Sequence, residues 1–186
     1  MNAQAAMKRR VTPQEYLAGE LMSDTRHEYA DGQVYAMVGA SRTHGQIASA
    51  LAYALTPGAR AKGCQLFIAD MKVRLNLSGQ EVYYYPDVVL VCDPQDQATY
   101  YTERPCLIIE VLSDSTERID RREKLFSYQQ LPSLQAYLQV AQDARRVEVF
   151  RRHTGWQHEV ITEGAVALPC IDQPLALDDI YVDVGL

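Results

Sequence analysis

Apolar and polar residues repeat along this chain with three different rhythms, and each predicts a kind of element. A helical rhythm runs through "SRTHGQIASALAYALTPG" (41–58), where Ile47, Leu51, Ala54 and Leu55 share one face between a Ser41 N-cap and a stop at Pro57-Gly58. "TPQEYLAGE" (12–20) opens a shorter helix, with Thr12 as cap, Pro13 in the first position and Glu15 three residues past the cap. "DRREKLFSYQQL" (120–131) predicts a third, halted by Pro132. A period of two governs "LFIADMKVRLNL" (66–77) from Met71 on, with Val73, Leu75 and Leu77 opposed to Lys72, Arg74 and Asn76. Near-continuous apolar runs, "EVYYYPDVVLVC" (81–92) and "PCLIIEVL" (105–112), predict strands buried on both faces.

Asp31-Gly32 marks a hairpin, and "LQAYLQVA", "RRVEVFRRH" and "WQHEVITEG" add strands after the third helix. The predicted order is helix, hairpin, helix, three-strand meander, helix and further strands. It describes an α+β domain, a mixed β-sheet flanked by helices, as one unit over 1–186.

One residue breaks the third rhythm. Glu110 lies inside Leu107, Ile108, Ile109 and Val111, where an unpartnered carboxylate costs several kcal/mol or gives up its charge. If strands 82–92 and 106–112 pair antiparallel about the middle of loop 93–104, paired positions sum to 197, which sets Asp87 opposite Glu110. Opposed side chains share a sheet face with Cβ atoms ~5 Å apart. Two readings of that pair stand open. Either a cation lies between the carboxylates, Mg²⁺ or Mn²⁺ being suited to oxygen ligands, or both acids sit at a strand end facing water. Pro86 lacks a backbone donor and interrupts the ladder beside Asp87, which opens a way in or simply marks a bulge. Asp70 interrupts the first strand of the meander and is a candidate third ligand.

Composition narrows the class. The chain has 186 residues, 47% of them hydrophobic, enough for a substantial core. The net charge of −6 weighs against a protein that coats nucleic acid, but a nuclease needs only a local basic patch. No apolar run nears the ~20 residues of a membrane span, and "MNAQAAMKRR" lacks the apolar core of a secretory signal, so a cytoplasmic location is expected. The four cysteines are far apart in sequence and form no CxxC. They are expected to pack as small apolar thiols rather than bind zinc or form disulfides.

"YPDVVLV", "CLIIEVLSDST" and "DRREKLFSYQQLPSLQAYLQV", in that order and preceded by "RHEYADGQVYAMVGASRTHGQIASAL", resemble the Uma-two family of restriction endonucleases, within the PD-(D/E)XK nuclease superfamily. The resemblance covers roughly 12–150. It implies a restriction-endonuclease-like core and a divalent-metal site, with Asp87 and Glu110 matching the two acidic ligands. It also implies that Glu28, His44 and Gln46, in the N-terminal block, border the cleft; from the residues alone, polar groups at a helix start are simply solvated.

The superfamily places a lysine two residues after the second acid, and here that position is Leu112. Asp120, Lys124 and Tyr128 recur every four residues on one helix face, so Lys124 is the substitute. The competing reading of Lys124 is an exposed Asp120–Lys124 salt bridge, from a surface-facing lysine that contributes little to stability. Ser113, Ser115 and Thr116 read as a cap or bend. Together these imply a Mg²⁺-dependent endonuclease acting on DNA, or a nuclease-fold binding or assembly module without turnover. Lys72, Arg74, Arg118, Arg121 and Arg122 are the candidate contacts to nucleic acid. A homodimer would supply one site per DNA strand.

Overall fold

The computed structural model describes residues 10–112 and 119–186, with the side chains of 119–121 excepted. Arg118, Ser113, Ser115 and Thr116 therefore lie outside the described residues, as do the side chains of Asp120 and Arg121. In chain order the elements are α1 (Pro13–Glu20), β1 (His27–Ala30), β2 (Gln33–Ala36), α2 (Arg42–Ala61), β3 (Gln65–Ile68), β4 (Lys72–Leu77), β5 (Gln80–Tyr84), β6 (Val88–Val91) and β7 (Tyr101–Thr102). They continue with β8 (Leu107–Val111), α3 (Ile119–Gln129), β9 (Ala136–Val140), β10 (Val147–Arg151), β11 (His158–Ile161), β12 (Ala165–Leu168), β13 (Gln173–Ala176) and α4 (Leu177–Ile180).

The fold is α+β, with two mixed sheets. The larger runs β11-β10-β9-β8-β6-β3, and its β8–β9 pair is parallel; the second runs β2-β1-β5-β4-β7. β12 and β13 form a separate hairpin. The central strands β6, β8 and β9 of the larger sheet are covered on both faces, which is why they read as near-continuous apolar runs. Val88, Leu90, Leu107, Ile109 and Leu138 pack into one cluster with Ile47, Leu51 and Leu55 of α2 and Leu177 and Ile180 of α4. The alternate residues Val89, Val91, Ile108 and Tyr137 pack against Val73, Leu75 and Val82 of the second sheet and Tyr128 of α3.

Local signals account for the element ends. Thr12 and Glu15 form the reciprocal capping box, a device of ~1 kcal/mol. Asp31 and Gly32 both take positive φ in the turn between β1 and β2, as that hairpin requires. Ser41 caps α2 through the His44 N–H.

Three expectations need correction. α2 does not stop at Pro57-Gly58 but runs through Pro57 to Ala61. Proline at 57 leaves the Tyr53 carbonyl without its helical donor, and Tyr53 is exposed, so water can take that place. Gly58 lies against the Gln173 side chain, where an added Cβ would clash with Oε1.

The meander is the second correction. "LFIADMKVRLNL" is two strands, β3 and β4, in different sheets, and "EVYYYPDVVLVC" is likewise split into β5 and β6. The chain changes sheet at Ala69-Asp70, where Ala69 has positive φ, and again at Tyr85-Pro86-Asp87. The third is a disulfide between Cys64 and Cys92, which the 28-residue spacing did not signal. Cys64 follows α2 and Cys92 follows β6, and pairing of Gln65 with Val91 brings the two together.

Candidate active site

The register between β6 and β8 follows the expected sum: Val88 pairs with Ile109, Val89 with Ile108 and Leu90 with Leu107. Extended by one residue, it sets Asp87 opposite Glu110, just where the ladder ends. By strand alternation both acids share the face of Val89 and Ile108, which looks toward the second sheet and α3. Beyond the ladder, the Asp87 carboxylate takes over from the missing strand: Oδ2 accepts the Val111 backbone N–H at 2.7 Å. The same oxygen lies 3.2 Å from Nε2 of His44, in the first turn of α2. That hydrogen bond outweighs burial and raises the His44 pKa, favouring the imidazolium.

Glu110 is held from α3. Its Oε1 accepts from the Tyr128 hydroxyl at 3.0 Å and lies 3.4 Å from the Lys124 ammonium. Burial holds the Tyr128 phenol's pKa well above its ordinary value, so the hydroxyl keeps its proton to donate. Lys124 is buried, with 9% exposure, and lies 2.9 Å from Oε1 of Glu28 on β1 and 5.3 Å from the centre of the Tyr84 ring. Glu28 in turn accepts the Tyr85 N–H at the sheet crossing. Two carboxylates from two sheets thus converge on one lysine from a helix. Lys124 is therefore not the surface-facing residue the sequence suggests, and the Asp120 side chain lies outside the described residues.

The Glu110 carboxyl is pushed up to about 8, first by burial, which outweighs the opposing pull of Lys124; Asp87 and Glu28 add to the rise. The folded chain then holds a proton that the unfolded chain, near 4.5, has released. Stability of the metal-free protein therefore falls as pH climbs from about 4.5 to about 8. Glu110→Gln, which keeps an oxygen for Tyr128, should flatten that fall in urea midpoints measured across the window. An unchanged slope would assign the burden to another group.

Other candidates lie elsewhere. Asp70 is 83% exposed and paired with Arg26 at 2.7 Å. Gln46 donates to the Asp183 carbonyl at 3.0 Å. Lys72 is buried, its ammonium 4.9 Å from the Tyr85 ring centre, and burial lowers its pKa. Arg74 is bound by Glu81 at 2.8 Å and Glu103 at 2.7 Å. Both are candidate contacts to nucleic acid by sequence; instead Lys72 lies over the Tyr85 ring and Arg74 is held by Glu81 and Glu103. Arg122 is exposed on α3. Among the described residues, no three or more His, Cys, Asp and Glu side chains are gathered for a metal ion, and no helix is long and apolar enough to cross a membrane.

A mixed sheet with paired acids at the end of adjacent strands, and a helix laid over them, is a nuclease-like fold. A crystal structure titled as that of a "putative nuclease belonging to DUF820" from Anabaena variabilis superposes with a TM-score of 0.69, covering 86% of this chain and 92% of that one at 15% identity. The chain belongs to the Uma2 (Uma-two) family, described as "Putative restriction endonuclease", whose sequence model matches residues 13–177. Two uncharacterized proteins of Synechocystis sp. are similar along most of their length. One, slr1290, is 33% identical over 176 residues, 92% of each chain. The other, sll1609, is 31% identical over 156 residues, 82% of this chain and 86% of its own.

Proposed function

We propose that this protein is a Mg²⁺- or Mn²⁺-dependent endonuclease that hydrolyses DNA phosphodiester bonds, with Asp87 and Glu110 as the metal-holding pair. The observation that carries the reading is the meeting of these two acids past the last ladder pair, with a buried lysine 3.4 Å from one of them. The donor set fits a hard divalent cation: two carboxylates, with water and phosphate oxygens to complete the sphere. A cation would also relieve the cost of ionising a carboxyl that sits at about 8. Bound there, it would lower the pKa of a water and offset charge on the scissile phosphate.

The chain's own groups do the rest. His44 and the Val111 N–H fix the Asp87 carboxylate, and Tyr128 fixes that of Glu110. Lys124 keeps a positive charge beside the acids, in the role that Leu112 cannot fill. Glu28 holds the ammonium in place. Arg122, with Arg118 and Arg121, would meet the phosphate backbone, and a homodimer in the cytoplasm would present one such site to each strand. The whole of 1–186 would act as one domain.

Calorimetric titration of Mg²⁺ and Mn²⁺ into the wild type and Glu110→Gln tests the metal. The variant should bind at least ~10-fold more weakly, having lost one of two charged ligands; equal binding would remove Glu110 from the site. Affinity for duplex DNA should fall as salt rises, and Arg122→Ala should shrink the log–log slope by ~1. Binding that ignores salt would end the nucleic-acid reading. Leu112 in place of the expected lysine favours a second reading, a nuclease-fold module that binds without turnover; metal and DNA binding with no cleavage would select it.

A further inference from the structure

All four cysteines of the chain, spread over more than 100 residues, meet in one place. Cys64 and Cys92 are joined as a disulfide. The Cys106 sulfur, in a buried residue at the start of β8, lies 3.4 Å from that of Cys92. Cys170, in the turn before β13, packs against the same cluster as Cys106, close enough for that thiol to raise its pKa. Cys64 and Cys106 are buried, while Cys92 and Cys170 are half-buried. A free thiol in contact with one sulfur of a disulfide is the arrangement from which exchange proceeds.

We propose that the four cysteines form a thiol–disulfide exchange site, in which Cys106 attacks Cys92 and displaces Cys64, and which small thiols and disulfides of the glutathione class can enter. In the internal step Cys106 gives its proton to solvent and its sulfur bonds to that of Cys92. The Cys64–Cys92 bond breaks, its electron pair leaves on the Cys64 sulfur, and that sulfur takes up a proton. No electrons are gained or lost, so no oxidant is needed. The exchange moves the cross-link. Before it, the far end of α2 is tied to β6; after it, β6 is tied to β8. These are the two strands that carry Asp87 and Glu110 at their other ends. Cys170 supplies a further thiol beside the attacking sulfur. The site is independent of the nuclease reading and stands or falls on its own chemistry.

The test is disulfide mapping of the full-length protein. Cleavage before aspartate separates all four cysteines, because Asp70, Asp87, Asp93, Asp96, Asp114, Asp120 and Asp143 fall between them. Free thiols are blocked in acid after incubation at pH 8.5 without oxidant. Wild type should give both Cys64–Cys92 and Cys92–Cys106 links, and Cys106→Ser only the first. Cys64→Ser, incubated with glutathione disulfide, should give Cys92–Cys106. If Cys106 never appears linked to Cys92 in either wild type or Cys64→Ser, the proposal is overturned. The same holds if wild type retains four alkylatable thiols after glutathione disulfide treatment.

Discussion

Lys124→Met is expected to lose DNA cleavage by ~100-fold or more, the scale on which a preorganised charge contributes to a transition state. It is also expected to lower folding stability by ~3 kcal/mol, because two half-enclosed carboxylates are left facing each other without their cation. The second effect is opposite to what the sequence suggests, where Lys124 reads as a surface residue of small energetic consequence. It should depend on pH. Above about 8 Glu110 is ionised and the loss is largest; near pH 6 it holds a proton and the loss is smaller. Urea midpoints at the two pH values and a plasmid-nicking assay read both effects. Unchanged nicking together with an unchanged midpoint at high pH would remove Lys124 from the site. Leu112 has the strand parity of Glu110, so Leu112→Lys added to Lys124→Met should restore part of the cleavage. A displacement of ~1 Å can cost ~100-fold, which makes partial recovery the ceiling.

Asp87→Asn should have the other large effect, and a cleaner one. The amide oxygen can still accept the Val111 N–H, so stability should stay within ~1 kcal/mol of wild type. The charge is gone, and on the proposed function several kcal/mol of metal-mediated stabilisation should go with it, ~1000-fold or more in cleavage. His44 supplies an internal reporter: its pKa, raised by Asp87, should drop in the variant when followed by NMR of the metal-free protein. Asp87→Ala, by contrast, strands the Val111 N–H and should cost ~1–3 kcal/mol as well. A His44 titration indifferent to Asp87→Asn would show that the pair does not form.

The β6–β8 register and the acids that face each other past its end were legible because strand pairing is arithmetic: a loop's midpoint fixes a sum, and parity fixes a face. The helix rhythm placed Lys124 and Tyr128 on one stripe for a similar reason. The change of sheet at Tyr85-Pro86-Asp87 was half legible, since Pro86 announced a break in the ladder but not that β5 leaves for another sheet. Glu28 came only through family resemblance; nothing local to β1 says that its carboxylate will meet a lysine almost a hundred residues on. The Cys64–Cys92 disulfide was missed because its cause is the antiparallel pairing of β3 with β6, a tertiary fact with no local trace. Lys72 and Arg74 were misplaced for a related reason. Period-two polarity marks a solvent face only where neighbouring side chains leave it open, and here Tyr85, Glu81 and Glu103 lie against the two cations.

Lys124 is gripped by Glu28 of one sheet and Glu110 of the other, from a helix that belongs to neither. These two ionic contacts exist only when three separately formed pieces have docked. On the proposed function, catalytic competence would therefore be a late product of folding. A heated or mildly denatured molecule that keeps its strands but lets the layers part has every residue of the site and no site. Inactivation should accompany the loss of near-ultraviolet dichroism from Tyr84, Tyr128 and Tyr137, well before far-ultraviolet signals fade.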